Sequence, residues 1–300
     1  MINLYATIER HARSVPHFLA PVAKRIVAYP RYHSQIKKCR SQYHLHKENY
    51  NQNILFVAGL PKSGTTWLEK MLTSFPGFSD VMIPEAVNYE QKHRESHTFE
   101  FPWNLFAQFE NALVVLKLHA HGSSHNFELL QKNDIRYVVI YRDLRDVAVS
   151  HIFYVKRTAY HPEHKIYKNL NTKEALLHFA KTLLPGFVQW IDSWHQYELS
   201  PLSYILRYED LVEEPFQKMK EVAAHYGIHT SDKELNEIIN KTSFEILSGG
   251  RKKGASDTSS FFRNGVSGDW KNYFDDETMG VFDIMLQNNT ENAACKIHRP

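Results

Sequence analysis

The chain has 300 residues, 43% of them apolar or aromatic, and a formal net charge of only +3. That is enough apolar material for one large or two small domains, and too little net charge to mark a nucleic-acid-binding protein. Two cysteines, Cys39 and Cys295, make no disulfide framework; no apolar run approaches the roughly 20 residues of a membrane span; and Ile8 is followed at once by Glu9, Arg10 and His11, not by a signal peptide's apolar centre. The expectation is a soluble, cytoplasmic protein.

Residues 1–50 carry nine Lys and Arg against two acids, Glu9 and Glu48. Pro16, Pro21 and Pro30 are expected to break this stretch into short pieces. It reads as a basic N-terminal extension, either a solvated helical segment packed on the domain or a peripheral contact for an anionic membrane surface.

From Ile54 the texture changes. Ile54–Ala58 reads as a buried strand, and Thr65–Phe75 has helical apolar spacing at Leu68, Met71 and Leu72. Further strands are expected at Ala112–Lys117, Tyr137–Tyr141 and Ser203–Tyr208. Helices are expected around Val147–Val155, over Glu174–Tyr197 with a break at Pro185-Gly186, and after Pro215. Uninterrupted apolar strands spaced by helices predict a parallel sheet covered on both faces. The expected fold is a P-loop-like, three-layer α/β domain over residues 51–300.

The first strand runs into Gly59-Leu60-Pro61-Lys62-Ser63-Gly64-Thr65-Thr66-Trp67 and then a helix. Small residues at such a junction let backbone N–H groups turn toward an anion, and the helix N-terminus adds partial positive charge. Lys62 supplies a full charge; Ser63, Thr65 and Thr66 supply hydroxyls. In the common nucleoside-triphosphate loop a Lys directly follows the last Gly. Here Thr65 follows Gly64, so the magnesium-holding arrangement of that motif is not evident.

Pro61 to Trp67 resembles the 5'-phosphosulfate loop of the cytosolic-type sulfotransferases. The resemblance spans residues 50 to 275, with motifs in family order. It implies 3'-phosphoadenosine-5'-phosphosulfate (PAPS) as co-substrate, 3'-phosphoadenosine-5'-phosphate (PAP) as product, and no required metal. Tyr141 to Ser150 is similar to the family's 3'-phosphate motif, implying contacts from Arg142 and Ser150. Arg142 also stands at a strand's carboxyl end, where open α/β sheets bind ligands, and its planar fork suits a phosphate. Phe261 to Lys271 resembles the late motif that closes over the 3'-phosphate, implying Arg263, Asn264 and Gly265; Asn264 stands where the family usually has Lys, which replaces a charge-assisted contact by a neutral one. Arg251-Lys252-Lys253-Gly254 looks like a second copy of that triplet without its Gly-Asp-Trp context. It reads as a solvated basic turn, with Lys252 and Lys253 as candidates for the missing charge. For the adenine, Trp67 offers an aromatic face, and the resemblance adds Thr242 with Phe244, and Tyr208. The family's dimer motif is not recognisable in Lys271–Met285, so the oligomeric state stays open.

The second long strand ends Leu116-Lys117-Leu118-His119-Ala120-His121. The family carries Lys-x-His here with the His as catalytic base, which implies Lys117 and His119. The chemistry needs such groups: an imidazole can take an alcohol's proton at neutral pH, and a fixed cation stabilises the charge that grows on the bridging oxygen. Lys62 is the candidate cation, with Lys117 assisting. The chain has 18 histidines, and His121 is the nearest rival, because alternate residues of a strand share a face.

Two other readings are open at this point. One is a metal-dependent phosphotransferase or nucleotide hydrolase, with Asp143 as magnesium-binding acid. The other is a nucleotide-binding protein without catalysis. The acceptor site is expected between Pro84–Phe109 and Phe153–Leu170. Tyr89, Phe99, Phe101, Trp103, Phe106, Phe109, Phe153, Tyr154, Tyr160 and Tyr167 there suggest an alcohol, phenol or lipid-like acceptor. His93, His97, His161 and His164 leave a polar one open, including an amine.

Overall fold

The computed structural model describes residues 20–159 and 161–290. Five parallel strands form its sheet: β1 (Ile54–Gly59), β2 (Ser79–Asp80), β3 (Val114–Leu118), β4 (Tyr137–Tyr141) and β5 (Ser203–Arg207), in the spatial order β2-β3-β1-β4-β5. All pairings are parallel. Every residue of β1 is buried, as a central strand covered on both faces requires. Two apolar clusters lie on the two faces, one gathering Phe56, Leu116 and Val139, the other Leu55, Val115 and Ile140.

From β1 the chain moves to one side of the sheet and later returns to the other at β4. The carboxyl end of β1, between β3 and β4, is therefore the point where strand order reverses and open sheets form their ligand crevice.

The four long strands fall where the apolar runs predict them. Strand β2 is only two residues long and leaves no such run. The helical stretch after the third predicted strand spans Leu144–Arg157. The break at Pro185 is real: one helix covers Thr172–Thr182, and the next, Leu184–His195, carries Pro185 in its first turn, where its missing N–H costs nothing.

The expectation for residues 1–50 is corrected at Pro30, which lies inside one helix, Ala20–His46. Tertiary contacts hold that helix despite the lost hydrogen bond. The Tyr32 hydroxyl donates to Gln108 at 2.6 Å, and the Gln35 amide bonds Asp80 and the Met82 N–H, each at 3.0 Å. Ile36 and Cys39 are buried in the same cluster as the sheet's residues. Pro16, residues 1–19 as a membrane contact, and Cys295 lie outside the described residues. Among the described residues no helix is long and apolar enough to cross a membrane.

Candidate active site

The carboxyl ends of β1, β3 and β4 deliver their next residues to one cleft of about 370 Å³. After β1 the chain enters the Lys62 loop. Lys62 has φ +68°, a left-handed conformation that costs a residue with a Cβ roughly 1–2 kcal/mol. Gly64 has φ +79°, and a Cβ there would stand 2.4 Å from a Tyr208 ring carbon, so the loop is clamped against the residue that follows β5. The helix Thr65–Leu72 then points its N-terminus at the cleft, which Thr65, Thr66 and Trp67 line.

The Lys62 ammonium lies 4.0 Å from the Tyr154 ring centroid and 5.0 Å from that of Phe261. Burial first, and then the cations Arg157, Arg142, Lys117 and Arg263, lower its pKa to about 7. An ammonium desolvated among other cations is one whose charged form a bound anion would favour. Ser63 does not line the cleft; it is fully buried beneath the loop, its hydroxyl without a hydrogen-bond partner.

After β3 comes His119. Its Nδ1 donates to the Gly59 carbonyl at 2.5 Å, which leaves Nε2 as the acceptor of the neutral ring. The backbone under it is pinned from the helix Leu184–His195: Trp190 Nε1 donates to the carbonyls of His119 (3.0 Å) and Ala120 (2.7 Å), and Trp194 Nε1 to that of Ala120 (3.0 Å). Burial lowers the His119 pKa to about 4, against the Gly59 bond and with help from Lys117. Lys117 lines the cleft but is already paired, its ammonium 2.9 Å from Glu69 and 3.4 Å from the Thr66 hydroxyl. His121 does not share the cleft. Strand β3 ends at Leu118, so alternation no longer holds, and His121 is bonded through its main chain to Phe99 and Asn126.

After β4 comes Arg142, 7% exposed. One of its Nη atoms donates to Asp146 at 3.0 Å and to the Val266 carbonyl at 2.7 Å. Asp146, which the sequence reading passed over, also accepts from the N–H groups of Gly268 (2.7 Å) and Trp270 (2.9 Å). One buried carboxylate thus joins the strand end to the late loop. Ser150 lines the cleft two turns further on. Asp143 caps its helix and gives its carboxylate to the Arg145 guanidinium, so the magnesium-binding role finds no support there. Among the described residues no three His, Cys, Asp or Glu are grouped to hold a metal.

The late loop brings Arg263, Asn264 and Gly265 to the same cleft. Arg263 forms a buried ion pair with Asp269. The Nε donors of Arg142 and Arg263 are buried with no partner. Orphaned donors of this kind cost about 1–3 kcal/mol each, and phosphate oxygens are the acceptors that would satisfy them. Gly265 has φ +67°, and a Cβ there would lie 2.3 Å from the Phe244 ring, so only glycine lets that ring settle on the loop. Phe244, Tyr208 and Trp67 all line the cleft. Thr242 does not. Its hydroxyl donates to Ile238 and its carbonyl receives Trp67 Nε1, both at 2.8 Å. It orients Trp67 instead.

The far end of the cleft departs most from expectation. Among the described residues of the expected aromatic wall only Tyr154 lines it, and Phe99 reaches an adjoining hollow. Phe101, Phe106, Phe109 and Tyr167 are core residues, and Trp103 is 72% exposed. Tyr160 lies outside the described residues. Polar groups join Leu183 and Phe187 at that end: Glu95, His97, His161 and a buried His151–Glu163 pair at 3.1 Å. No apolar pattern in the sequence signals that pair.

A strand–loop–helix anion cradle, buried cations and a neutral imidazole in one crevice define a group-transfer enzyme for an anionic nucleotide. A family model described as a sulfotransferase domain matches residues 52–294, and the chain belongs to that family. It is 24% identical to sulfotransferase 1E1 of Cavia porcellus, over 81% of this chain and 85% of that one. It is 28% identical to a flavonol 3-sulfotransferase of Flaveria bidentis, over 78% and 80%. The crystal structure of mouse sulfotransferase SULT7A1 complexed with PAP superposes with a TM-score of 0.57 at 19% identity, covering 86% of this chain and 91% of that one. That likeness shows the P-loop-like fold.

Proposed function

We propose that this sulfotransferase moves the sulfonate of PAPS to a hydroxyl or amine of a small-molecule acceptor by in-line transfer, with His119 as general base. When bound, PAPS supplies the activated sulfonate and departs as PAP. Lys62, Thr65 and Thr66 hold the 5' end; Arg142, Ser150, Arg263 and Gly265 hold the 3'-phosphate; Trp67, Phe244 and Tyr208 flank the adenine. His119 Nε2 takes the acceptor's proton as its oxygen or nitrogen attacks sulfur. The Lys62 ammonium meets the charge left on the bridging oxygen. Lys117, tied to Glu69 and Thr66, fixes the floor between them.

The observation that carries this reading is the His119–Gly59 hydrogen bond. It makes Nε2 a fixed, unprotonated acceptor in the cleft that Lys62 also lines. The polar far end, with Glu95, His97 and His161, supports an acceptor that pairs an apolar body with hydrogen-bonding groups. We read residues 51–300 as the catalytic domain and the cytoplasm as its location. The test is an acceptor screen with labelled PAPS. Labelled sulfonate should appear on at least one hydroxyl or amine compound, and not with His119→Ala. Transfer undiminished in that variant would overturn the reading.

A further inference from the structure

The positive charges at the Arg142 end of the cleft are already balanced by carboxylates. Arg142 is neutralised by Asp146 at 3.0 Å, Arg263 is paired with Asp269, and Arg145 is held by Asp143. Asn264, between Arg263 and Gly265, is buried and uncharged. A phosphate monoester brings about −1.5 to −2 charges at neutral pH, and paired arginines offer it hydrogen bonds without net charge.

One cation at this end is uncommitted. Lys253 is exposed, lines the same cleft as Arg142, Ser150 and Asn264, and has no carboxylate partner among the described residues. Its place is fixed by the backbone. The Gly254 N–H donates to the Asn264 carbonyl at 2.9 Å, and Gly254 turns the chain with φ +88°. Arg251 fastens the two segments: its guanidinium donates to the carbonyls of Ala255 (2.9 Å) and Arg263 (3.0 Å), to the Ser260 hydroxyl (2.7 Å) and to the Phe262 carbonyl. Arg251 spends its donors on the loop, and Lys253 rides on the segment that Arg251 fastens.

We propose that Lys253 supplies the net positive charge for the 3'-phosphate, taking the place that an uncharged Asn264 leaves empty. This rests on the assignment of a 3'-phosphorylated nucleotide to the cleft. Lys253 reaches the phosphate from the solvent side, across from the buried Arg142 and Arg263. It distinguishes nucleotides with a 3'-phosphate from those without, and leaves the 5' end alone.

The experiment measures affinity for PAP and for adenosine 5'-phosphate in the wild type, Lys253→Gln, and Lys253→Gln with Asn264→Lys, each shown to be folded by its thermal midpoint. Lys253→Gln should weaken PAP about tenfold and lower the slope of log affinity against log salt concentration, with adenosine 5'-phosphate unchanged. Asn264→Lys should restore most of the loss. PAP affinity unaltered by Lys253→Gln, or both nucleotides weakened equally, would overturn the proposal. Failure of the wild type to bind PAP at all would instead refute the nucleotide assignment.

Discussion

His119 and Gly59 are joined by a 2.5 Å hydrogen bond from Nδ1 to the carbonyl that ends β1. The strand that leads into the Lys62 loop therefore also sets the tautomer of the His119 ring. A single backbone position couples the Lys62 loop to the imidazole. The same ring is held neutral by burial, with its pKa lowered to about 4.

Replacing that ring should separate chemistry from binding. His119→Ala should lower kcat by about 10²–10⁴, the usual contribution of a general base, while PAP affinity stays within a few-fold of wild type. Steady-state kinetics and calorimetric titration of PAP read the two quantities.

The pH dependence follows from the sign of the shift. With a folded-state pKa near 4, below the ordinary 6.5, His119 remains a base well into the acid range. The acid limb of kcat should fall with an apparent pKa clearly under 6.5. The same shift acts on stability: between those two values the unfolded chain binds a proton that the folded chain refuses, so this group makes stability rise with pH across that window. Removing it with His119→Asn should flatten the pH dependence of the urea midpoint from pH 4 to 6.5.

Lys62 should link nucleotide binding to proton uptake. In the free protein its pKa is about 7; a bound anion favours the charged form and raises it. PAP affinity should therefore weaken as pH rises above 7. Titrations at pH 7.5 in two buffers of different ionisation enthalpy should show protons taken up. Lys62→Gly removes both the half-buried charge and the left-handed strain. It should raise stability by about 1 kcal/mol while transfer collapses.

Asp146 should be the most costly single loss in the site. Asp146→Ala strands the Arg142 guanidinium and the N–H groups of Gly268 and Trp270. Breaking a buried ion pair on one side typically costs about 3–5 kcal/mol. Urea denaturation should show a loss of that size, and saturating PAP should stabilise this variant more than wild type, because the nucleotide returns an anion to Arg142.

The sequence made the sheet legible because β1 and β4 are continuous apolar runs, and β3 and β5 short, mostly apolar ones, between helical periods. It located Arg142 from its place at a strand's carboxyl end, Lys62 from the loop between β1 and a helix, and His119 from the Lys-x-His register of the family resemblance; topology brings all three to one cleft. What it missed depended on tertiary placement. Phe101, Phe106 and Tyr167 face the core, since an aromatic residue near a pocket in sequence carries no sign of which side it turns to. Thr242 serves Trp67 through its carbonyl, a contact with no side-chain signature. Asp146 reaches Gly268 and Trp270 across more than 120 residues of chain, and Pro30 sits in a helix that packing, not propensity, sustains.

A nucleotide bound as proposed is gripped at both ends by one cleft. Calorimetric titration of PAP against wild type, Lys62→Ala and Arg142→Ala measures this most directly. One-to-one binding should be weakened at least tenfold by either substitution, and adenosine 5'-phosphate should respond to Lys62→Ala but not to Arg142→Ala. If PAP bound with wild-type affinity to either variant, the two cations would not share a ligand, and the account would be wrong.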